Sequence, residues 1–226
     1  MAIGYDNANS VIGTGLSSIT IPAFAVAGAD RCIVVGVNGV KGTATSTSSV
    51  VRNGSETFTP DWNVTNVSGW EQHNSGHHFA NPATGSYSIV VTVAAITDYL
   101  AAGAISLTGV HQTTPVGTPG TASGTGATAS VTVTAADDEW LVDMCGVEAN
   151  AITVGADQTA RVEIDDASSS FTSIGMSHQL GSVAGDVMTW TCASVDWVIG
   201  AVPIKPAPPP RTYFPGLGFS AQQRMG

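Results

Sequence analysis

An all-β fold is predicted, an antiparallel β-sandwich of jelly-roll type built from two similar halves, with an extended C-terminal arm. Three observations predict it. Short runs rich in Val, Ile and Thr alternate with Gly, Pro, Asn and Asp punctuation along most of the chain. No stretch sustains the apolar spacing of a helix; Ala94 to Ala104 is Ala-rich but is interrupted by Thr97-Asp98 and Gly103. Segments also recur in one order. GSYSIVVTVAAITDYLAAGAISLTGV from Gly85 and GDVMTWTCASVDWVIGAVPIK from Gly185 each open on Gly and run through an apolar strand. Each then passes an Asp-aromatic pair (Asp98-Tyr99, Asp196-Trp197) and closes on a Gly-Ala strand. A turn at Thr97-Asp98, and its counterpart at Asp196, makes each segment a hairpin.

The elements follow in order. Residues 1–16 read as an N-terminal arm or a first edge strand. Ile19-Thr20-Ile21 alternates as a half-buried strand does, and Cys32 to Val37 is a continuous apolar run suited to a buried strand. Asn38-Gly39 and Asn53-Gly54 are hairpin signals. Trp70 to Phe79 is a strand with polar content, and Tyr87, Ile89, Val91 and Val93 share one face of the next. Residues 111–128 are rich in Thr, Gly, Pro and Ser without periodicity and read as a linker. The pattern then restarts. Val131-Thr132-Val133 echoes Ile19-Thr20-Ile21, Trp140 to Val147 echoes Cys32 to Val37, and Phe171 to Leu180 echoes Trp70 to Phe79. The expected sandwich spans 17–205, with halves 17–110 and 129–204. Its inner faces hold Ile19, Ile21, Val35, Ile89, Val91, Ile105, Val131, Val133, Leu141, Val198 and Val202.

Composition narrows the role. Hydrophobic residues make up 43% of the chain and charged residues 11%, so a substantial core is available. No apolar run approaches the ~20 residues of a membrane helix. The opening MAIGYDNANS lacks a basic start and apolar core, so no secretory signal peptide is expected. All 17 acidic residues precede Lys205, leaving a body of charge −13 and a tail of +3 within a net charge of −10. An acidic body repels phosphate backbones, so no nucleic-acid partner is expected. The three cysteines, Cys32, Cys145 and Cys192, lie in apolar runs without CxxC spacing and read as buried thiols.

Few residues carry chemistry. In WEQHNSGHH, Glu71, His73 and His77 share a strand face by parity, and His73, His77 and His78 are the side chains a divalent metal would use. Ligands strung along one strand spread apart, so no metal and no other cofactor is expected. Asp137-Asp138-Glu139 and Asp165-Asp166 read as solvated turns. No GxSxG elbow and no phosphate-binding lysine loop occurs, and no catalytic residue is assigned. Trp140, Trp190 and Trp197 sit in apolar strands as core, which leaves Trp62 and Trp70 as the surface aromatics a glycan would stack on. After Pro203, Pro206 and Pro208-Pro209-Pro210, residues 206–226 read as a stiff arm carrying Arg211, Tyr213, Phe214, Leu217, Phe219 and Arg224, anchors for a neighbouring subunit.

Several stretches resemble a loose group of β-sandwich proteins and modules of bacteriophages and bacteria. They are Asn81-Pro82-Ala83-Thr84-Gly85 leading into SIVVTV, then AISLTGVHQTTPVGT, Glu139-Trp140-Leu141-Val142-Asp143, and DWVIGAVPIKP. The likeness covers most of residues 70–205 and excludes the aromatic tail. It implies a virion-surface or extracellular β domain rather than an enzyme. The expectation is a virion structural protein, a capsid decoration or head or tail accessory protein, working as a homo-oligomer with other virion proteins and no membrane. The alternative is a carbohydrate-binding or adhesive surface module.

Overall fold

The computed structural model describes residues 2–41, 46–67, 71–148, 151–165 and 172–209. The two segments expected to be hairpins are each one long strand, and neither turns. Strand β7 runs unbroken from Gly85–Thr108, alongside β1, Gly4–Val26, from Gly4 opposite Thr108 to Val26 opposite Gly85. Thr97 lies opposite Leu16 but Thr92 opposite Ser18, so the extra residues of β7 bulge out midway. The two apolar runs are the two ends of one bent strand, because β1 supplies a ladder to both. The Thr97 hydroxyl donates to the Leu16 carbonyl across the bend at 3.0 Å. The second half repeats this. Strand β13, Asp186–Ile204, pairs with β8, Gly120–Val133, and its register slips between Thr191 and Val195.

Around each long pair the same wiring is laid twice. In the first half β2 (Cys32–Lys41), β3 (Thr47–Arg52), β4 (Glu56–Thr57), β5 (Thr59–Asn66) and β6 (Glu71–Ala80) give the order β4-β3-β7-β2-β6-β5, with β1 on β7. In the second, β9 (Trp140–Val147), β10 (Thr153–Val154), β11 (Thr159–Ile164) and β12 (Ser173–Leu180) give β10-β13-β9-β12-β11, with β8 on β13. Even the irregularities match. Thr59 pairs with His78 and a bulge follows Pro60; Thr159 pairs with His178 and a bulge follows Ala160. Gly36 opposite Gly103 in the first half corresponds to Met144 opposite Gly200 in the second. The duplication is therefore one of topology.

Three cores follow from the bends. In the first half Ile21, Val35, Val50, Ile89 and Leu100 pack inside one curled sheet. Val131, Leu141, Met188, Trp190 and Ile199 do the same in the second. Between the halves Val34, Trp62, Ile105, Val142, Met144, Met176 and Val202 form a seam. Strands β2 and β9 are buried on both faces, hence their mainly apolar sequence, interrupted by the buried Asn38 and Asp143. Every inner-face residue expected from the sequence is buried.

Of three local expectations, two are corrected and one holds. Asn38-Gly39 makes no turn; β2 runs straight through it, and Asn38 is buried in the seam. Asn53-Gly54 does turn, with φ of 52° and 68°. The linker 111–128 is mostly paired: β8 begins at Gly120, and Gly117 N–H donates to the Pro203 carbonyl at 2.8 Å. Its Gly, Ser and Thr content reflects an outer strand with few buried side chains. Among the described residues, no helix is long and apolar enough to cross a membrane.

Candidate functional site

The polar chemistry of this molecule concentrates on the seam and on two buried clusters. Strand β6 supplies the first. Its even-numbered residues face the second half, and its polar sequence is buried there. Gln72 Nε2 donates to the Asp196 carbonyl at 3.0 Å and Asn74 Nδ2 to the Met144 carbonyl at 3.3 Å. Asn38 Nδ2 donates to Thr172 Oγ1 at 2.8 Å, and Asn66 Nδ2 to the Gly124 carbonyl at 3.0 Å. Four amides of the first half thus fasten it to the second, each compensating the desolvation of a buried polar group.

Trp62 lies at the centre of this clasp. It is 5% exposed, covers Gly76, abuts Gly200 and donates from Nε1 to Asn74 Oδ1 at 2.8 Å. The expected surface platform is corrected here: Trp62 is a seam residue, drawn inward by two glycines that leave room for its ring. Trp70 lies outside the described residues. Trp190 is fully buried, and Trp140 and Trp197 are half-buried.

The histidines separate onto the two faces of β6. His73 and His77 face the first-half core with Ser75 and Thr47. His73 Nε2 accepts from Thr47 N–H at 3.1 Å, and Ser75 Oγ lies 3.1 Å from His77 Nε2. Burial pulls both rings down to about 4, so they are neutral at pH 7. Ser75 and His77 have the spacing of a hydroxyl and its base, but they are only 3% and 5% exposed, which closes the approach of a substrate carbonyl. His78 faces the seam and pairs with Asp61 at 2.6 Å. Among the described residues, no three His, Cys, Asp or Glu side chains converge as a metal would require.

The second cluster escaped the sequence reading. Asp143 is fully buried in the second-half core, accepting from Ser177 N–H at 2.7 Å, Ser177 Oγ at 2.8 Å and Trp190 Nε1 at 2.8 Å. Gln158 Nε2 approaches at 3.3 Å. Burial pushes this carboxyl up to about 7, against the pull of its donors. A signal was present, since Asp143 is the one charged residue within the apolar run Leu141 to Val147. The cysteines are free and buried, and desolvation raises all three thiols, which makes them poor nucleophiles.

The acidic turn is occupied locally: Asp137 accepts from Val183 N–H at 3.0 Å and Glu139 from Ala136 N–H at 3.0 Å. Asp165 is described, whereas Asp166 lies outside the described residues. The arm begins later than expected. Pro206 bridges Val110, and Ala207 N–H donates to the Gly109 carbonyl at 2.7 Å, so the body extends to Ala207. Beside this exit lies a groove of about 320 Å3 lined by Ile3, Trp140, Leu180 and Pro209. Arg211, Tyr213, Phe214, Leu217, Phe219 and Arg224 lie outside the described residues.

These features define an antiparallel β-sandwich of two topologically repeated halves, sealed by a polar and aromatic seam. No family model, curated protein or solved structure matches the chain.

Proposed function

We propose that this chain is a virion structural protein, a decoration or head or tail accessory component that works by protein–protein assembly. The sandwich is the rigid body and the segment after Pro209 is the connecting element. One observation carries the reading. The last described residues, Pro208 and Pro209, leave the body at its rim, and the sequence that follows is aromatic and basic while the body is strongly acidic. A proline run keeps an arm extended at little further entropic cost, and aromatics dominate interface energetics. The body's own polar chemistry supports the same division of labour, because the amides of β6 are spent on closing the two halves.

Deleting the residues after Pro209 tests the proposal. The shortened chain should keep its melting temperature within a few degrees and lose stoichiometric co-sedimentation with intact particles. Retained co-sedimentation, or a collapse in thermal stability, overturns it.

A further inference from the structure

The rim beside Pro209 differs between the two halves in a way the shared fold does not require. In the second half Trp140 and Leu180 are paired neighbours at the end of β9 and β12. The matching pair in the first half is Cys32 and Ala80. The topology is served by small residues at this place, yet the second half presents two of the largest apolar side chains there. Leu180 is 62% exposed. The Trp140 ring is held flat against His178, with centroids 4.2 Å apart and planes 11° from parallel. Together with Ile3, Ala207 and Pro209 they line the groove, and Asp138 stands at its lip.

We propose that this groove receives the aromatic C-terminal segment, residues 213–219, of a second copy of the chain. The inference rests on the arm reading above and names its acceptor. Three facts select this occupant. The residues from 210 to 226 continue from the edge of the groove and carry Tyr213, Phe214, Leu217 and Phe219, side chains that bury well in a preformed apolar cleft. Arg211 precedes the aromatics, and Asp138 in the lining of the groove supplies opposite charge. Pro208, Pro209 and Pro210 in succession favour extended polyproline geometry, which advances ~3.1 Å per residue without reversing. Returning to a groove that Pro209 itself lines demands an immediate reversal, so a segment arriving from a neighbour fits better than the chain's own. Each copy then offers one arm and one groove, and association closes as a two-fold exchange or continues head to tail.

Complementation between two full-length variants tests this. Leu180→Lys removes the apolar wall and repels a basic arm; Phe214→Asp spoils the arm. By sedimentation velocity the wild type should self-associate with concentration, and each variant alone should associate at least tenfold more weakly. An equimolar mixture should recover a heterodimer, because it contains one intact arm and one intact groove. Leu180→Ser is the second groove variant, and unchanged far-ultraviolet circular dichroism certifies folding of each. A wild type that stays monomeric, a Leu180→Lys chain that associates like wild type, or a mixture that recovers nothing overturns the proposal. If the wild type alone is monomeric while Phe214→Asp still abolishes co-sedimentation with particles, the acceptor is another protein: the groove assignment falls and the arm reading stands.

Discussion

At matched places in the seam the first half carries Gly36 and Asn38, where the second carries Met144 and Gly146. These matched residues meet one another. A Cβ on Gly36 would stand 2.6 Å from Met144 Cγ, and Gly146 lies under the Asn38 amide. Further out, Gly103 of the first half faces Met176 and Val162 of the second, while Gly200 of the second faces Trp62 of the first. Two identical halves would set glycine on glycine, leaving a void, or methionine on methionine, forcing a clash. The seam instead sets large against absent at each place. The halves have kept one topology and become complementary rather than interchangeable, which is specificity by shape.

Removing the largest of these fillers should have the largest effect. Trp62→Ala empties the seam and strips Asn74 of a donor, with an expected loss of ~3–5 kcal/mol in urea unfolding. Trp190→Ala should cost a similar amount but act within the second half, where it also deprives Asp143 of a donor. Separate probes of the two halves should then report divergent transitions for Trp190→Ala and a common early one for Trp62→Ala.

The complementarity itself is measured by a smaller quantity. Gly36→Ala overpacks the seam at a cost of ~1–3 kcal/mol, and Met144→Ala opens it at ~2–5 kcal/mol. Together they should cost less than their sum by ~0.5–3 kcal/mol, since the truncated methionine makes room for the added methyl. Strict additivity would mean that the two residues do not read each other.

Much of this was legible before any coordinates. Alternation at Ile19-Thr20-Ile21 and Val131-Thr132-Val133 located real core faces, because a half-buried strand must alternate. What was hidden depends on partners remote in sequence. Thr97-Asp98 has turn chemistry, but a bulge uses the same residues, and only the strand opposite decides between them. Asn38-Gly39 fails as a turn because Thr172, 134 residues away, takes up its amide. Trp62 sits in a polar stretch whose polarity is spent against the other half. Gly120 to Thr128 lacks periodicity because one face of that strand is only half-buried.

The two halves should also part company with pH, the mildest test of their difference. His73 and His77 titrate near 4 in the native first half, below the ~6.5 of an unfolded histidine. Unfolding therefore takes up protons, and their contribution to stability is lost as pH falls from 6.5 to 4. His178 adds the same sign from the second half, lowered by burial and by Arg161. Asp143 runs the other way. Its native value of about 7 exceeds the ~3.9 of an unfolded aspartate, so stability from this group is present at pH 4 and lost as pH rises to 7. Urea midpoints between pH 4 and 7.5 should lose most of their acid-side decline in His73→Gln/His77→Gln, the remainder belonging to His178. They should lose the opposing decline toward neutrality in Asp143→Asn. A profile unchanged by Asp143→Asn would mean that this carboxyl does not set the decline toward neutrality.

The end-to-end pairing of β1 with β7 also governs how the chain is made. Gly4 waits for Thr108, so the first curled sheet cannot close until residue 108 has been synthesised. At ~5–20 residues per second, the stretch from residue 109 to Ile204 takes roughly 5–19 s more to emerge. Pairing at such sequence separation is slow but runs on the millisecond-to-second scale, so the first half has time to close before the second exists. During that interval Val34, Ile105 and Leu107, destined for the seam, have no partner to cover them. A nascent chain at this stage is the form a chaperone would meet.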